Sequence, residues 1–139
     1  MLIRPFHETD TDSVVALWEA SGITRPWNDP RKDIARKLEV QRELFLVGEL
    51  DGRVVASAMA GYEGHRGWVN YLAVDPSERG AGHGRAIMSE VERLLTERGC
   101  PKLNLQVRSD NEQALEFYRA LGYGADAAVS LGKRLIPDD

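Results

Sequence analysis

The chain of 139 residues has a single cysteine, Cys100, so no intramolecular disulfide can close and stability must come from packing. It also lacks any apolar run near the roughly 20 residues needed to cross a bilayer. The longest, Val54 to Ala60, has Ser57 inside it. No charged segment followed by an apolar stretch opens the chain as a signal peptide would, and these features together predict a cytoplasmic protein with no membrane association. An excess of positive charge is missing as well: 18 Lys and Arg against 22 Asp and Glu leave a net charge of −4. That argues against a nucleic-acid partner, since neutralising phosphates dominates such binding. The three histidines, His7, His65 and His83, have no metal-ligand spacing, so no metal is expected. What is present is 42% hydrophobic residues, enough for one domain over 1–139 to bury a core.

Leu2 to Pro5 reads as a first strand. Thr9 or Asp10 can cap a helix through Ser21, whose Val14, Val15, Leu17 and Trp18 share a face. Asp29-Pro30 places an N-cap before a proline at the first helical position, which predicts a second helix to about Glu43. Leu44 to Leu50 and Arg53 to Tyr62 flank Asp51-Gly52, a two-residue hairpin signal. After Gly64-His65-Arg66-Gly67 comes a strand from Trp68 to Val74, with Val69, Tyr71 and Ala73 expected on one face and Trp68, Asn70, Leu72 and Val74 on the other. Ile87, Val91, Leu94 and Leu95 then recur at helical spacing, and Leu103, Leu105 and Val107 alternate as a fifth strand. Ser109 to Glu112 has the form of a capping box before a helix to Leu121, and Ala128 to Ile136 can supply final strands. The order predicts an α/β (α+β) fold: one mixed, mostly antiparallel sheet of six or seven strands with helices on both faces.

The most visible feature is Arg79-Gly80-Ala81-Gly82-His83-Gly84, between a buried strand and an amphipathic helix. A helix's first N–H groups and positive dipole end make an anion site there, and glycine lets a phosphate approach the backbone. A flexible strand-to-helix connection is the competing account. Spacing excludes two other phosphate motifs. No lysine follows the glycines, as a P-loop requires, and the third glycine of a dinucleotide fingerprint counted from Gly80 would fall on Arg85. Arg79, Gly82 and Gly84 do satisfy Arg/Gln-x-x-Gly-x-Gly/Ala, behind Tyr71-Leu72-Ala73-Val74-Asp75-Pro76, while Asn111, Ala114, Tyr118, Gly122 and Tyr123 form a second spaced signature. On these two motifs the chain resembles the GNAT superfamily of N-acetyltransferases from Leu2 to at least Tyr123. Arg25 to Pro30, Gly64 to Gly67, Gly99 to Lys102 and Ser130 to Ile136 add a closer likeness to bacterial members.

The resemblance implies an acyltransferase that moves an acetyl group from acetyl-CoA to a primary amine by direct attack. It implies that Leu72, Ala73 and Val74 pair with the pantetheine arm and that an amide near Val74 faces the thioester oxygen. Arg79, Gly80, Ala81, Gly82, His83, Gly84 and Arg85 would hold the pyrophosphate. Asn111 and Tyr118, two helical turns apart, would face the cofactor, with Tyr118 as general acid. A phenol of pKa ~10 donating to a thiolate near 8.5 goes uphill by about 2 kcal/mol, so hydrogen bonding to the leaving sulfur competes with full transfer. Related ribosomal-protein N-terminal acetyltransferases use a fifth-strand glutamate as base. Gln106 stands at the matching position and cannot take a proton.

Glu63 is then the most plausible base, with His65 and with Asn70 or Tyr71 through a water as alternatives and a solvated turn acid as the competing reading of Glu63. Trp27, Asn28 and Asp29, with Glu63 and Asn70, are expected on the acceptor side, although Asp29 reads equally as a helix cap. An α-amino group near 7.7 to 8.0 is easier to use neutral than a lysine near 10.4, by about 3.4 kcal/mol, which favours a low-pKa amine. The partner is a small-molecule or peptide amine, with a homodimer left open. Cys100, with no base beside it in sequence, reads as packing rather than as an acyl carrier. The alternatives are a non-catalytic acyl-CoA-binding or interaction module on the same fold, and an enzyme that takes a longer acyl chain.

Overall fold

A computed structural model describes residues 1–139. Its contacts divide into two units, Met1–Leu105 with Asp138–Asp139, and Gln106–Pro137. The first unit holds a five-stranded sheet in chain order: β1 (Leu2–Pro5), β2 (Phe45–Leu50), β3 (Arg53–Tyr62), β4 (Gly67–Val74) and β5 (Leu103–Asn104). The first four strands are antiparallel neighbours and β5 runs parallel to β4. The meander follows from its turns. Asp51 and Gly52 both take positive φ, 51° and 77°, the paired left-handed geometry that a tight hairpin needs. Helices α1 (Thr11–Ala20), α2 (Pro30–Leu38) and α3 (His83–Glu97) belong to this unit. The second unit carries α4 (Glu112–Ala120). No helix is long and apolar enough to cross a membrane.

Alternation in the strands sends side chains to two cores. On one face Val14, Val15, Leu17 and Trp18 of α1, with Ile34 of α2, pack on Phe6, Phe45, Val47 and Ala73. The Phe6 and Phe45 rings stack at 4.4 Å. On the other face the intervening residues Leu46, Ala56, Ala58 and Ala60 meet the buried side of α3, formed by Ile87, Met88, Val91 and Leu95. The end of α3 closes so near β4 that a Cβ on Gly67 would lie 2.9 Å from Leu95 Cδ1 and 2.8 Å from Cys100 Sγ. Cys100 is thus a packing residue at the α3–β5 connection.

Several expectations need correction. The sheet has five strands, because Ala128 to Ile136 forms none: Val129, Leu131 and Leu135 are largely exposed and no strand pairs with them. The fifth strand stops at Asn104, since only Leu103 and Asn104 find partners on β4. α2 ends at Leu38, and a short 3₁₀ turn at Arg42–Leu44 leads into β2. The cap of α4 is Asn111, whose side chain accepts from the Ala114 amide at 3.0 Å, and Ser109 lies outside the helix. The expected faces of β4 also fail. Asn70 pairs with Met59 and Ala73 with Ser57, so residues three apart share a face, and Val69 turns to the opposite one with Ala60. An inserted residue is the cause.

Candidate functional site

That insertion is a β-bulge. Tyr71 and Leu72 of β4 together oppose the single residue Ala58 of β3, and Tyr71 takes a left-handed φ of 52°. For a bulky aromatic residue this conformation is strained, and specific contacts hold it. Its ring stacks on the buried Trp18 indole at 3.8 Å. Its carbonyl accepts from Ser57 Oγ at 2.8 Å, while Ser57 Oγ in turn accepts from Trp18 Nε1 at 2.9 Å. Its hydroxyl donates to Asp33 Oδ2 at 2.6 Å. Beyond Trp68 the β4–β5 ladder ends, so β5 contributes no strand alongside Leu72, Ala73 and Val74. The bulge and the short fifth strand thereby open the sheet on the β5 side of those three residues.

The chain then passes through Asp75 and a 3₁₀ turn into the glycine turn. Arg79 folds back so that its Nε donates to the Val74 carbonyl at 3.4 Å. Gly80 and Gly82 both have φ of 84°, and a Cβ built on either meets nothing within 4 Å. Gly82 is the N-cap of α3, and its carbonyl accepts the Ala86 amide at 3.0 Å. The amides of His83, Gly84 and Arg85 therefore form the first turn, where a helix has no internal partners for its N–H groups. No acid lies in this turn, so nothing on it opposes an anion. Leu72 to Val74 and Arg79 to Arg85 thus follow one continuous strand, turn and helix start.

In the second unit, Asn111 and Tyr118 begin and nearly end α4. Tyr118 lies edge-on to Phe117 and Tyr123, with centroids at 5.0 and 5.8 Å. Burial pushes its phenol up to about 12, so the hydroxyl stays protonated at any physiological pH. Gln106 is exposed and its side-chain amide donates to the Ser130 hydroxyl.

Comparison with known proteins identifies this arrangement. Residues 11–123 match the model of the acetyltransferase (GNAT) family. The chain belongs to the GNAT acetyltransferase family. An acetyltransferase of Yersinia enterocolitica is 49% identical over 138 residues, covering 99% of this chain and 98% of its own. An acetyltransferase of Pectobacterium atrosepticum is 48% identical over the same span. Among solved structures, Ard1 from Thermoplasma volcanium superposes with a TM-score of 0.79 at 27% identity, covering 91% of this chain and 84% of that one. The ribosomal-protein-S18-alanine N-acetyltransferase of Escherichia coli gives 0.73 at 26%, with 87% and 76% covered. The protein is therefore an acyltransferase of the GNAT type on a GNAT fold.

The remaining residues singled out in sequence fall at two places in this GNAT acetyltransferase. Glu63 lies exposed on the β3–β4 turn, where Oε1 accepts the amides of His65 at 3.1 Å and Arg66 at 2.5 Å. Asn70 is exposed on β4, opposite Met59. Trp27 is 56% exposed before α2, the Asn28 amide donates to Arg25, and Asp29 caps α2 by accepting from the amides of Arg31 at 2.9 Å and Lys32 at 3.4 Å. Glu63 thus sits on the β3–β4 turn and Trp27 to Asp29 on the segment that leads into α2.

Asp33 is the residue that sequence reading missed. It sits on α2 with Oδ2 on Tyr71 and Oδ1 3.2 Å from Arg36 Nη1. In sequence it looks like half of a surface i,i+3 ion pair, and only the stacking of Tyr71 against Trp18 across the fold reveals its second partner.

Proposed function

We propose that this GNAT enzyme transfers acetyl from acetyl-CoA to a primary amine by direct attack, in one catalytic domain spanning 1–139 and working in the cytoplasm. The observation that carries this reading is the open β5-side edge of Leu72 to Val74 leading straight into a glycine turn with room above Gly80 and Gly82. The fit is chemical as well as spatial. An extended polar arm suits a strand edge beyond the end of the β4–β5 ladder, and a pyrophosphate suits the acid-free start of α3. Leu72, Ala73 and Val74 would hold the pantetheine arm, and Arg79, Gly80, Ala81, Gly82, His83, Gly84 and Arg85 the pyrophosphate, with Asn111 contributing from α4. Acetyl-CoA supplies the activated acetyl group as a thioester.

The chain's own residues then do three things. An amide near Val74 donates to the thioester carbonyl oxygen, where negative charge grows as the amine nitrogen attacks. As the new C–N bond forms and the C–S bond breaks, Tyr118 donates a hydrogen bond to the departing sulfur. The amine's surplus proton passes to a base, for which Glu63 is the carboxylate candidate. Glu63 Oε1 is engaged by the His65 and Arg66 amides, and an acceptor that is already largely neutral asks least of any base. The likeness to an S18-alanine N-acetyltransferase supports the same class, an α-amino group or another low-pKa amine, with Trp27, Asn28, Asp29 and Asn70 on its side.

The test is thiol release from acetyl-CoA with amino acids, polyamines, aminoglycosides and N-terminal peptides as acceptors, beside calorimetric binding of CoA. Release with an α-amino acceptor at neutral pH is the expected result. Measurable CoA binding with no release from any amine would overturn it in favour of a non-catalytic acyl-CoA-binding module.

A further inference from the structure

Asp138, near the end of the chain, belongs to the first unit. The Asp138 side chain is 4% exposed, although it lies among residues that are otherwise largely open. Oδ2 accepts the Asp29 amide at 2.8 Å, and Oδ1 accepts Arg36 Nη2 at 2.6 Å. The Asp138 carbonyl takes Lys32 Nζ at 3.1 Å. One residue thus clasps the N-cap and the first two turns of α2. The chain of contacts continues, because Arg36 also reaches Asp33 and Asp33 holds the Tyr71 hydroxyl at the β4 bulge. No step in the proposed reaction uses Asp138, and its sequence context gives no reason for burial.

We propose that Asp138 is a positioning residue for the acceptor side: it fixes the segment from Trp27 to Asp29 at the start of α2 and, through Arg36 and Asp33, steadies Tyr71 at the bulge. A carboxylate suits the task because it accepts from an amide at the positive end of a helix and from a guanidinium at once. A long loop ahead of α2 has no period of its own, and tying its last residue from outside limits the conformations it can adopt. The functional part of this inference rests on the proposal that Trp27 to Asp29 line the acceptor side.

Amide hydrogen exchange and proton NMR on the full chain test it, using wild type, Asp138→Ala and Arg36→Met. In Asp138→Ala, exchange at Asp29 and the first turn of α2 should quicken by about tenfold, the scale of one lost charge-assisted hydrogen bond, while α3 stays protected. The Tyr71 hydroxyl proton, held by Asp33 in wild type, should exchange faster and broaden in both variants. Arg36→Met, which keeps the bond to Asp29, should leave Asp29 protected. Unchanged exchange at Asp29 in Asp138→Ala, or a uniform rise across the whole chain, would overturn the proposal. Kinetics with an alanine-initiated tetrapeptide then separate the two readings. A rise of about fivefold or more in KM for the peptide, with kcat and KM for acetyl-CoA unchanged, supports positioning of the acceptor side. Local exchange without that rise would overturn the assignment of Trp27 to Asp29 to the acceptor while leaving the clasp itself standing.

Discussion

Ser57→Ala should destabilise this protein far more than the loss of one hydroxyl from a strand suggests. Ser57 is fully buried and sits between Trp18 Nε1, from which it accepts, and the Tyr71 carbonyl, to which it donates. Trp18 is also fully buried, so its N–H cannot turn to water when the hydroxyl goes. An orphaned buried donor costs about 1 to 3 kcal/mol, and the lost bond to the Tyr71 carbonyl adds ~1 kcal/mol. The total is about 2 to 4 kcal/mol. For a chain of this size each kcal/mol is worth roughly 3 °C, so Tm should fall by about 6 to 12 °C. The cavity left by one oxygen is too small to contribute much. Repeating the substitution in a Trp18→Phe background isolates the mechanism, because with no indole N–H to strand, the further cost of Ser57→Ala should shrink to ~1 kcal/mol. The assay is thermal unfolding followed by near-ultraviolet circular dichroism, which reports the Trp18–Tyr71 stack directly. A Tm within about 2 °C of wild type, or an equal loss in both backgrounds, would refute the role of Ser57 in holding the bulge.

Tyr118→Phe should lower kcat by roughly 10- to 150-fold, the worth of a hydrogen bond to a charged partner, with the calorimetric Kd for CoA nearly unchanged. With its phenol at about 12 against ~8.5 for a thiol, full proton transfer is uphill by about 5 kcal/mol, so a pH profile free of a Tyr118 limb up to pH ~10 is expected, and a variant as fast as wild type would remove Tyr118 from the reaction. Gly82→Ala meets open space, so its folding cost is the left-handed φ alone, about 1 kcal/mol, yet CoA binding should weaken by more than tenfold; equal effects on Tm and affinity would mean that nothing approaches that backbone. Bidentate bonds from Arg4 at 2.8 and 3.0 Å, then the His7 amide at 2.8 Å, hold the Asp10 carboxyl below the ordinary carboxylate range. The stabilisation is therefore present above the unfolded value near pH ~3.9 and is lost as pH falls through the lower folded value. Asp10→Asn should cost about 2 kcal/mol at pH 7 and flatten the acid limb of Tm against pH, whereas parallel curves would show that the pair does not govern it.

How much of this was legible depends on whether a feature is made by neighbours in the chain or by distant residues. Asp51-Gly52 marks its hairpin because the positive φ values belong to those two residues, and Asp29-Pro30 starts α2 because the cap and the proline act within one turn. The strand, glycine turn and helix start were readable for the same reason. The face reversal in β4 was not, since no residue between Trp68 and Val74 signals the extra one; Ser57 and Trp18, from two other elements, hold it. Val129, Leu131, Leu135 and Ile136 offer apolar residues for a closing strand, but a strand needs a partner and they have none, whereas Asp138 beyond them meets the start of α2 through its carboxylate. Asp33 was invisible because its second partner, Tyr71, lies 38 residues away.

The same distinction runs through the proposed site. The side assigned to acetyl-CoA is built from main chain: a strand edge, two glycines and the first amides of a helix, whose geometry is set by local spacing. The side assigned to the acceptor depends on a side chain that reaches over long separations, as the Asp138 carboxylate does to the Asp29 amide and the Arg36 guanidinium across 102 to 109 residues. A main-chain site is indifferent to most substitutions around it, so it can stay constant while its side-chain counterpart is rebuilt for another amine. A substitution at Asp33, Arg36 or Asp138 should for that reason alter which amine is used before it alters how acetyl-CoA is held.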